Sequence, residues 1–89
     1  MNAEHEAVAN DIRALARAVR RETALFTVYE EGLHNDNVTI EVWVAVPCGD
    51  STHTRFKGAE RPFSQHEKTL HEMRDELASW LAERRKEAA

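Results

Sequence analysis

Five histidines, one cysteine and several adjacent carboxylates are the residues of this 89-residue chain that could do chemistry, and their spacing limits what they can do. His66 and His71 bracket Glu67 as H-E-x-x-x-H. A helical zinc site needs its two histidines one turn apart, whereas five residues place them about 140° apart around a helix. Glu67, His71 and Asp75 would share a helix face at i, i+4, i+8, and a solvated face is the plainer reading of that trio. His66 is expected to cover the edge of the core. Cys48 stands alone, which excludes an internal disulfide and a cysteine-based zinc site. It lies in Pro47-Cys48-Gly49-Asp50, a turn sequence with no cationic neighbour to activate a thiol. Glu30-Glu31 and Asp75-Glu76 are sequence neighbours, so each pair points two ways. The three glycines, at 32, 49 and 58, make no phosphate loop, and no serine sits in a nucleophile elbow. The expectation is a non-enzymatic protein without metal or cofactor.

Two groups of side chains suit binding instead. Arg13, Arg17, Arg20 and Arg21 gather on one side of an amphipathic helical repeat, opposite Val8, Ile12, Leu15 and Val19. Such a stripe can grip phosphates or simply be a solvated face. Leu25, Tyr29, Trp43, His53, Arg55 and Lys57 fall together if a sheet carries them outward, and tryptophan, tyrosine and arginine are the types enriched at binding hot spots.

The elements that would position them are legible from periodicity. A helix spans about 3–22. A strand over about 23–31 follows from Thr23-Ala24-Leu25-Phe26-Thr27-Val28-Tyr29, and Gly32 to Asn37 supplies turn chemistry. A second strand over about 38–46 alternates Val38, Ile40, Val42, Val44 and Val46 against Thr39, Glu41, Trp43 and Ala45, and Pro47 ends it. A third, over about 51–57, alternates Thr52, Thr54 and Phe56 against His53, Arg55 and Lys57. A last helix over about 65–85 is marked by a Ser64-Gln65-His66-Glu67 capping box and by Leu70, Met73, Leu77 and Trp80. The fold class is therefore α+β, an αβββα chain with a three-stranded antiparallel meander between an N-terminal and a C-terminal helix.

Register decides which side chains share a face. Setting Val44 opposite Phe26 and Thr54, and Val42 opposite Val28 and Phe56, builds an apolar inner face. Trp43 then faces Thr27 and Arg55, and Glu41 faces Tyr29 and Lys57. Slipping the first strand by one would set Glu30 against Glu41, and the like charges argue against it. If both helices cover the inner face, the aromatic and basic outer face is a contact surface for another protein or for a second copy.

Hydrophobic residues make up 42% and charged residues 31%, a globular composition for one domain. The longest strongly apolar run, Val42 to Val46, is far short of a membrane span, and the charged first twenty residues do not read as a secretory signal. The expected location is cytoplasmic. The net charge of −4 is concentrated in residues 23–62, where six acids stand against three bases, and it opposes nonspecific nucleic-acid binding.

Glu30-Glu31-Gly32-Leu33-His34 followed by Val38-Thr39-Ile40-Glu41-Val42, within a helix–strand–strand–strand–helix order, resembles the first hairpin of a double-stranded RNA-binding domain. The resemblance extends from about Phe26 to Leu81 and implies that Gly32 and His34 sit in a loop entering the RNA minor groove. That family opens its second helix with a lysine cluster. Here Ser64-Gln65-His66-Glu67-Lys68 offers one lysine and one glutamate. In size, acidity and element order the chain is also similar to small phage-encoded inhibitors of the anti-CRISPR kind, which implies a protein target in a bacterial host cell. Two functions thus compete: a protein-binding module acting through the outer sheet face, and a duplex nucleic-acid binder using the arginine stripe and His34.

Overall fold

The computed structural model describes residues 2–45 and 53–88. It runs α1 (Ala3–Thr23), β1 (Phe26–His34), β2 (Asn37–Ala45), β3 (His53–Ala59) and α2 (Leu70–Ala88). The strands form one antiparallel sheet in the order β1-β2-β3, so the αβββα arrangement is the one the periodicity predicts. The readings of Val46, Pro47 and Cys48, and of a third strand starting at 51–52, fall outside the described residues.

Helix α1 opens on Asn2, whose side-chain oxygen accepts the His5 N–H at 2.8 Å. It closes later than the β-rich run after Glu22 suggests. Thr23 Oγ1 donates to the Val19 carbonyl at 2.6 Å, and Ala24 turns left-handed (φ 59) as its N–H reaches the Arg20 carbonyl at 3.2 Å. Thr23 and Ala24 therefore end a helix, and β1 begins at Phe26.

The β1–β2 hairpin corrects the expected register. Asn35 (φ 49) and Asp36 (φ 62) both take the left-handed conformation that a two-residue primed turn requires and that Asn and Asp tolerate. That turn fixes His34 opposite Asn37, which sets Val28 opposite Trp43, Tyr29 opposite Val42 and Glu30 opposite Glu41. The first strand is one residue away from the pairing that side-chain charge favours. The β2–β3 register is the expected one, with Val42 opposite Phe56, Trp43 opposite Arg55 and Glu41 opposite Lys57.

Both helices lie on one side of the sheet. Val38, Ile40, Val42 and Val44 of β2 and Phe56 of β3 are buried against Val8, Ile12 and Val19 of α1 and Leu70, Met73, Leu77 and Leu81 of α2. The contacts Glu4–His71 (3.2 Å), Asp11–Arg74 (3.5 Å) and Glu22–Arg85 (2.7 Å) advance together along both helices, so these run in the same direction. Gly58 permits the close approach of α2 to β3: a Cβ there would lie 2.8 Å from both Met73 Cβ and the Thr69 carbonyl oxygen.

Helix α2 starts at Leu70, five residues later than expected. Thr69 and Glu72 form the reciprocal capping box, Glu72 N–H to Thr69 Oγ1 at 3.1 Å and Thr69 N–H to Glu72 Oε1 at 3.0 Å. Ser64 and Glu67 make similar local bonds, to the N–H groups of His66 and Phe63, but close only an isolated turn. Glu67 is therefore not on a helix face with His71 and Asp75, and His66 is exposed rather than laid over the core.

The chain between β3 and α2 is tied back to the sheet. The buried Asn37 donates to the Arg61 carbonyl at 2.8 Å and accepts the Arg61 N–H at 2.9 Å. Glu60 accepts the Val38 N–H at 3.1 Å and sits 2.8 Å from His5 Nδ1. Burial alone would push the Glu60 carboxyl up, but the His5 and Val38 hydrogen bonds outweigh it and hold it below the usual range.

Candidate functional site

With both helices on the inner side, no described element covers the opposite face of the sheet. Its side chains fall in three rows set by the two registers. Glu30, Glu41 and Lys57 form one, Val28, Trp43 and Arg55 the next, and Phe26, Ala45 and His53 the third. Phe26, Val28, Glu30, Trp43, Ala45 and His53 line an open depression.

Trp43 is the centre of this face and is held from three sides. Its Nε1–H donates to Glu41 Oε2 at 2.9 Å. The Arg55 guanidinium lies 4.8 Å from the ring centroid, and the His53 ring stacks at 5.0 Å with 23° between planes. Arg55 also grips Glu41 with two hydrogen bonds, at 2.7 and 3.1 Å, and Lys57 Nζ lies 3.6 Å from the same carboxylate. Arg55, against the desolvation of a partly buried site and with help from Trp43, holds the Glu41 carboxyl below its usual range. This network explains the unexpected pairing of Glu30 with Glu41. Cations on β3 neutralise the central acid, so the like charge on β1 can stand beside it.

Glu41 is tied up as an anion and is a poor proton acceptor near neutrality. Among the described residues no group of three or more His, Cys, Asp or Glu side chains could hold a metal ion.

Of the residues expected on this surface, Trp43, His53, Arg55 and Lys57 are there together. Leu25 and Tyr29 are not. Both pack against the core on the helix side, because the hairpin turn places Tyr29 level with Val42. Tyr29 instead lies beneath the Arg13 guanidinium, 5.8 Å from it, and its hydroxyl is 3.2 Å from Glu31. Phe26, Val28 and Glu30 take the places left on the outer face, and Phe26 is 59% exposed. The signal that finds them is Asn35-Asp36 read as a two-residue turn.

The arginine stripe divides. Arg13 is committed to Glu31 at 2.8 Å and to the Tyr29 ring. Arg17, Arg20 and Arg21 are exposed and make no ion pair with another described residue. Gly32 and His34, expected in a groove-entering loop, both belong to β1, and the loop is only Asn35-Asp36. The His34 ring packs edge-on against Phe63 at 6.0 Å. Lys68, the lysine before α2, is paired with Glu76.

No helix of the described residues is long and apolar enough to cross a membrane. No protein-family model, curated protein or solved structure matches the chain.

Proposed function

We propose that this domain is a non-enzymatic protein-binding module and that the open sheet face around Trp43 is its contact surface. The observation that carries the reading is the pre-built state of that face. An aromatic ring is fixed by Glu41, Arg55 and His53 of its own chain, so little side-chain freedom is lost when a partner docks. Phe26 and Val28 beside it supply apolar area, the central Glu41 is neutralised by Arg55, and Glu30 and Lys57 lie at the margins, the arrangement of a hot spot with a polar rim. A small, mildly acidic domain with such a face suits a protein that acts by occupying another protein's surface, as inhibitors of the anti-CRISPR kind do. A phage or mobile-element inhibitor of a bacterial host protein is the specific form of this proposal, with the host cytoplasm as its place of action.

Two features weigh for a protein partner over duplex nucleic acid. Arg13 and Lys68 are already neutralised within the domain, and the β1–β2 loop is too short to reach into a groove. The deciding measurement compares Trp43→Ala with an Arg17→Gln/Arg20→Gln/Arg21→Gln variant. The tryptophan variant should lose capture of a partner from the source cell's lysate by tenfold or more while melting cooperatively, and the arginine variant should retain capture. Salt-sensitive duplex RNA or DNA binding, lost in the arginine variant and kept in the tryptophan variant, would overturn the proposal.

A further inference from the structure

The outer face is self-complementary, and we infer that its occupant is a second copy of this chain, packed sheet to sheet about a two-fold axis running along β2. This inference rests on the reading of that face as a docking surface and names what docks there.

The acid Glu30 lies on β1, at one margin of the face, and the cation Lys57 lies on β3, at the other margin of the same row. Trp43 stands between the margins one row away. A two-fold axis parallel to β2 lays β1 of one copy over β3 of the other and keeps every row level with itself. Glu30 then meets Lys57 of the second copy, and the relation repeats on the opposite margin, giving two equivalent ion pairs around the aromatic centre. Val28 meets the stem of Arg55, and the two Trp43 rings meet near the axis, where an apolar anchor contributes most. The other two-fold axis in the plane of the face, perpendicular to the strands, reverses the rows. It sets Glu30 over Phe26 and Lys57 over His53, a carboxylate over an apolar ring and a cation over a basic one. The first axis pairs the marginal charges with opposite charge and sets the two Glu41 carboxylates, each held by its own Arg55, across the axis, whereas the second sets Arg55 over Arg55 and leaves neither margin paired.

Within the domain Glu30 feels the Arg55 charge without forming an ion pair, and Lys57 is only loosely held by Glu41. Arg55 takes both oxygens of Glu41, whereas Lys57 stands 3.6 Å away and is 52% exposed. Glu30 is exposed beside a carboxylate of its own sign, so a cation arriving from outside relieves it. Aligned packing of two antiparallel sheets, about 10 Å apart and rotated by roughly 30°, accommodates side chains of this size. A face three strands wide lies at the small end of specific interfaces, so the dimer forms at protein concentrations on the order of 10–100 μM. That weakness also leaves the face free for a competing protein at low concentration.

The experiment is a charge-swap cycle read by sedimentation equilibrium, with a thermal melt of each variant to establish that it is folded. The wild type should pass from monomer to dimer over that concentration range. Glu30→Lys and Lys57→Glu should each weaken self-association by tenfold or more, because each homodimer would oppose like charges at both margins. An equimolar mixture of the two variants should recover association, since a mixed pair restores attraction at both margins. A wild type that stays monomeric to about 1 mM, variants that dimerise as well as the wild type, or a mixture that remains monomeric would each overturn the inference. A monomeric wild type whose Trp43→Ala variant still loses a captured partner would reject the second copy and leave the docking face standing.

Discussion

The two faces of β2 are held by different physics, although they share one backbone. On the inner face Val38, Ile40, Val42 and Val44 are buried against both helices, and the cohesion is nondirectional removal of apolar surface from water. On the outer face Glu41 and Trp43 are held by hydrogen bonds, a cation over a ring and a stacked imidazole, none of which requires a helix. The inner face therefore fixes the fold and tolerates little. The outer face fixes the positions of its own side chains and adds little to the fold. A test of this contrast separates stability from binding.

The largest expected effect is on the inner side. Val42 is fully buried between Tyr29 and Phe56, and Val42→Asp would place an unpaired carboxylate there at a cost of several kcal/mol, roughly the whole stability of a small domain. The variant should show no cooperative thermal transition. A melt close to that of the wild type would mean that the helices do not cover this face.

Next in size is Gly58. Its missing Cβ lets α2 rest on β3, and Gly58→Ala should cost roughly 1–3 kcal/mol through overpacking against Met73 and the Thr69 backbone. Gly32→Ala is the control, because its nearest obstacle is the Thr39 hydroxyl, a side-chain atom that can rotate away. Urea denaturation that ranks Gly32→Ala as the more damaging would contradict the close packing of α2 on β3.

How much of this was legible in the chain differs strand by strand. The valine alternation of β2 and its partners on β3 could be read directly, because an unbroken period of two with a buried face admits one register. β1 could not be placed by the same reasoning. Opposing Glu30 and Glu41 looks prohibitive when two strands are considered, and becomes acceptable only through Arg55 and Lys57 on the third. The local signal, Asn35-Asp36, was the better guide. The start of α2 was ambiguous because Ser64-x-x-Glu67 and Thr69-x-x-Glu72 both read as caps. Only the second leads straight into Leu70, the first buried residue of the stripe. The ties made by Asn37 and Glu60 left no pattern in sequence at all, since each joins segments more than twenty residues apart.

One of those ties gives a pH-dependent prediction intermediate in size. The Glu60 carboxyl is held below its usual range in the folded state, so its stabilisation is present above the unfolded value and is lost as the pH falls through the folded one. Glu60→Gln should therefore be less stable than the wild type near neutrality, and the gap should narrow below about pH 4.3, the ordinary glutamate value. Glu22, Glu41 and Glu72 are also held low and will weaken both proteins in acid, so the difference between the two curves is the quantity to follow. A gap that widens as the pH falls below about 4.3 would reverse the assigned sign.

The smallest expected effect on folding is the most informative about the outer face. Trp43→Ala removes a ring that stands on the open side of the sheet, and the loss is its cross-strand contacts with Arg55 and His53 and one hydrogen bond to Glu41, about 1 kcal/mol. Trp80→Ala is its counterpart on the inner side. Trp80 lies edge-on to the buried Phe56 at 5.9 Å, with Arg84 over its other flank, and it is only half-buried. Its removal should cost roughly 2 kcal/mol, below the 3–5 kcal/mol of a fully enclosed tryptophan. Urea midpoints of the two variants should therefore fall in the order wild type, Trp43→Ala, Trp80→Ala, with unchanged slopes. Self-association should fall in the opposite sense, with Trp43→Ala losing the dimer and Trp80→Ala keeping it wherever the domain is folded. Equal destabilisation by both substitutions would make Trp43 part of the core, and the contrast between the two faces of β2 would not hold.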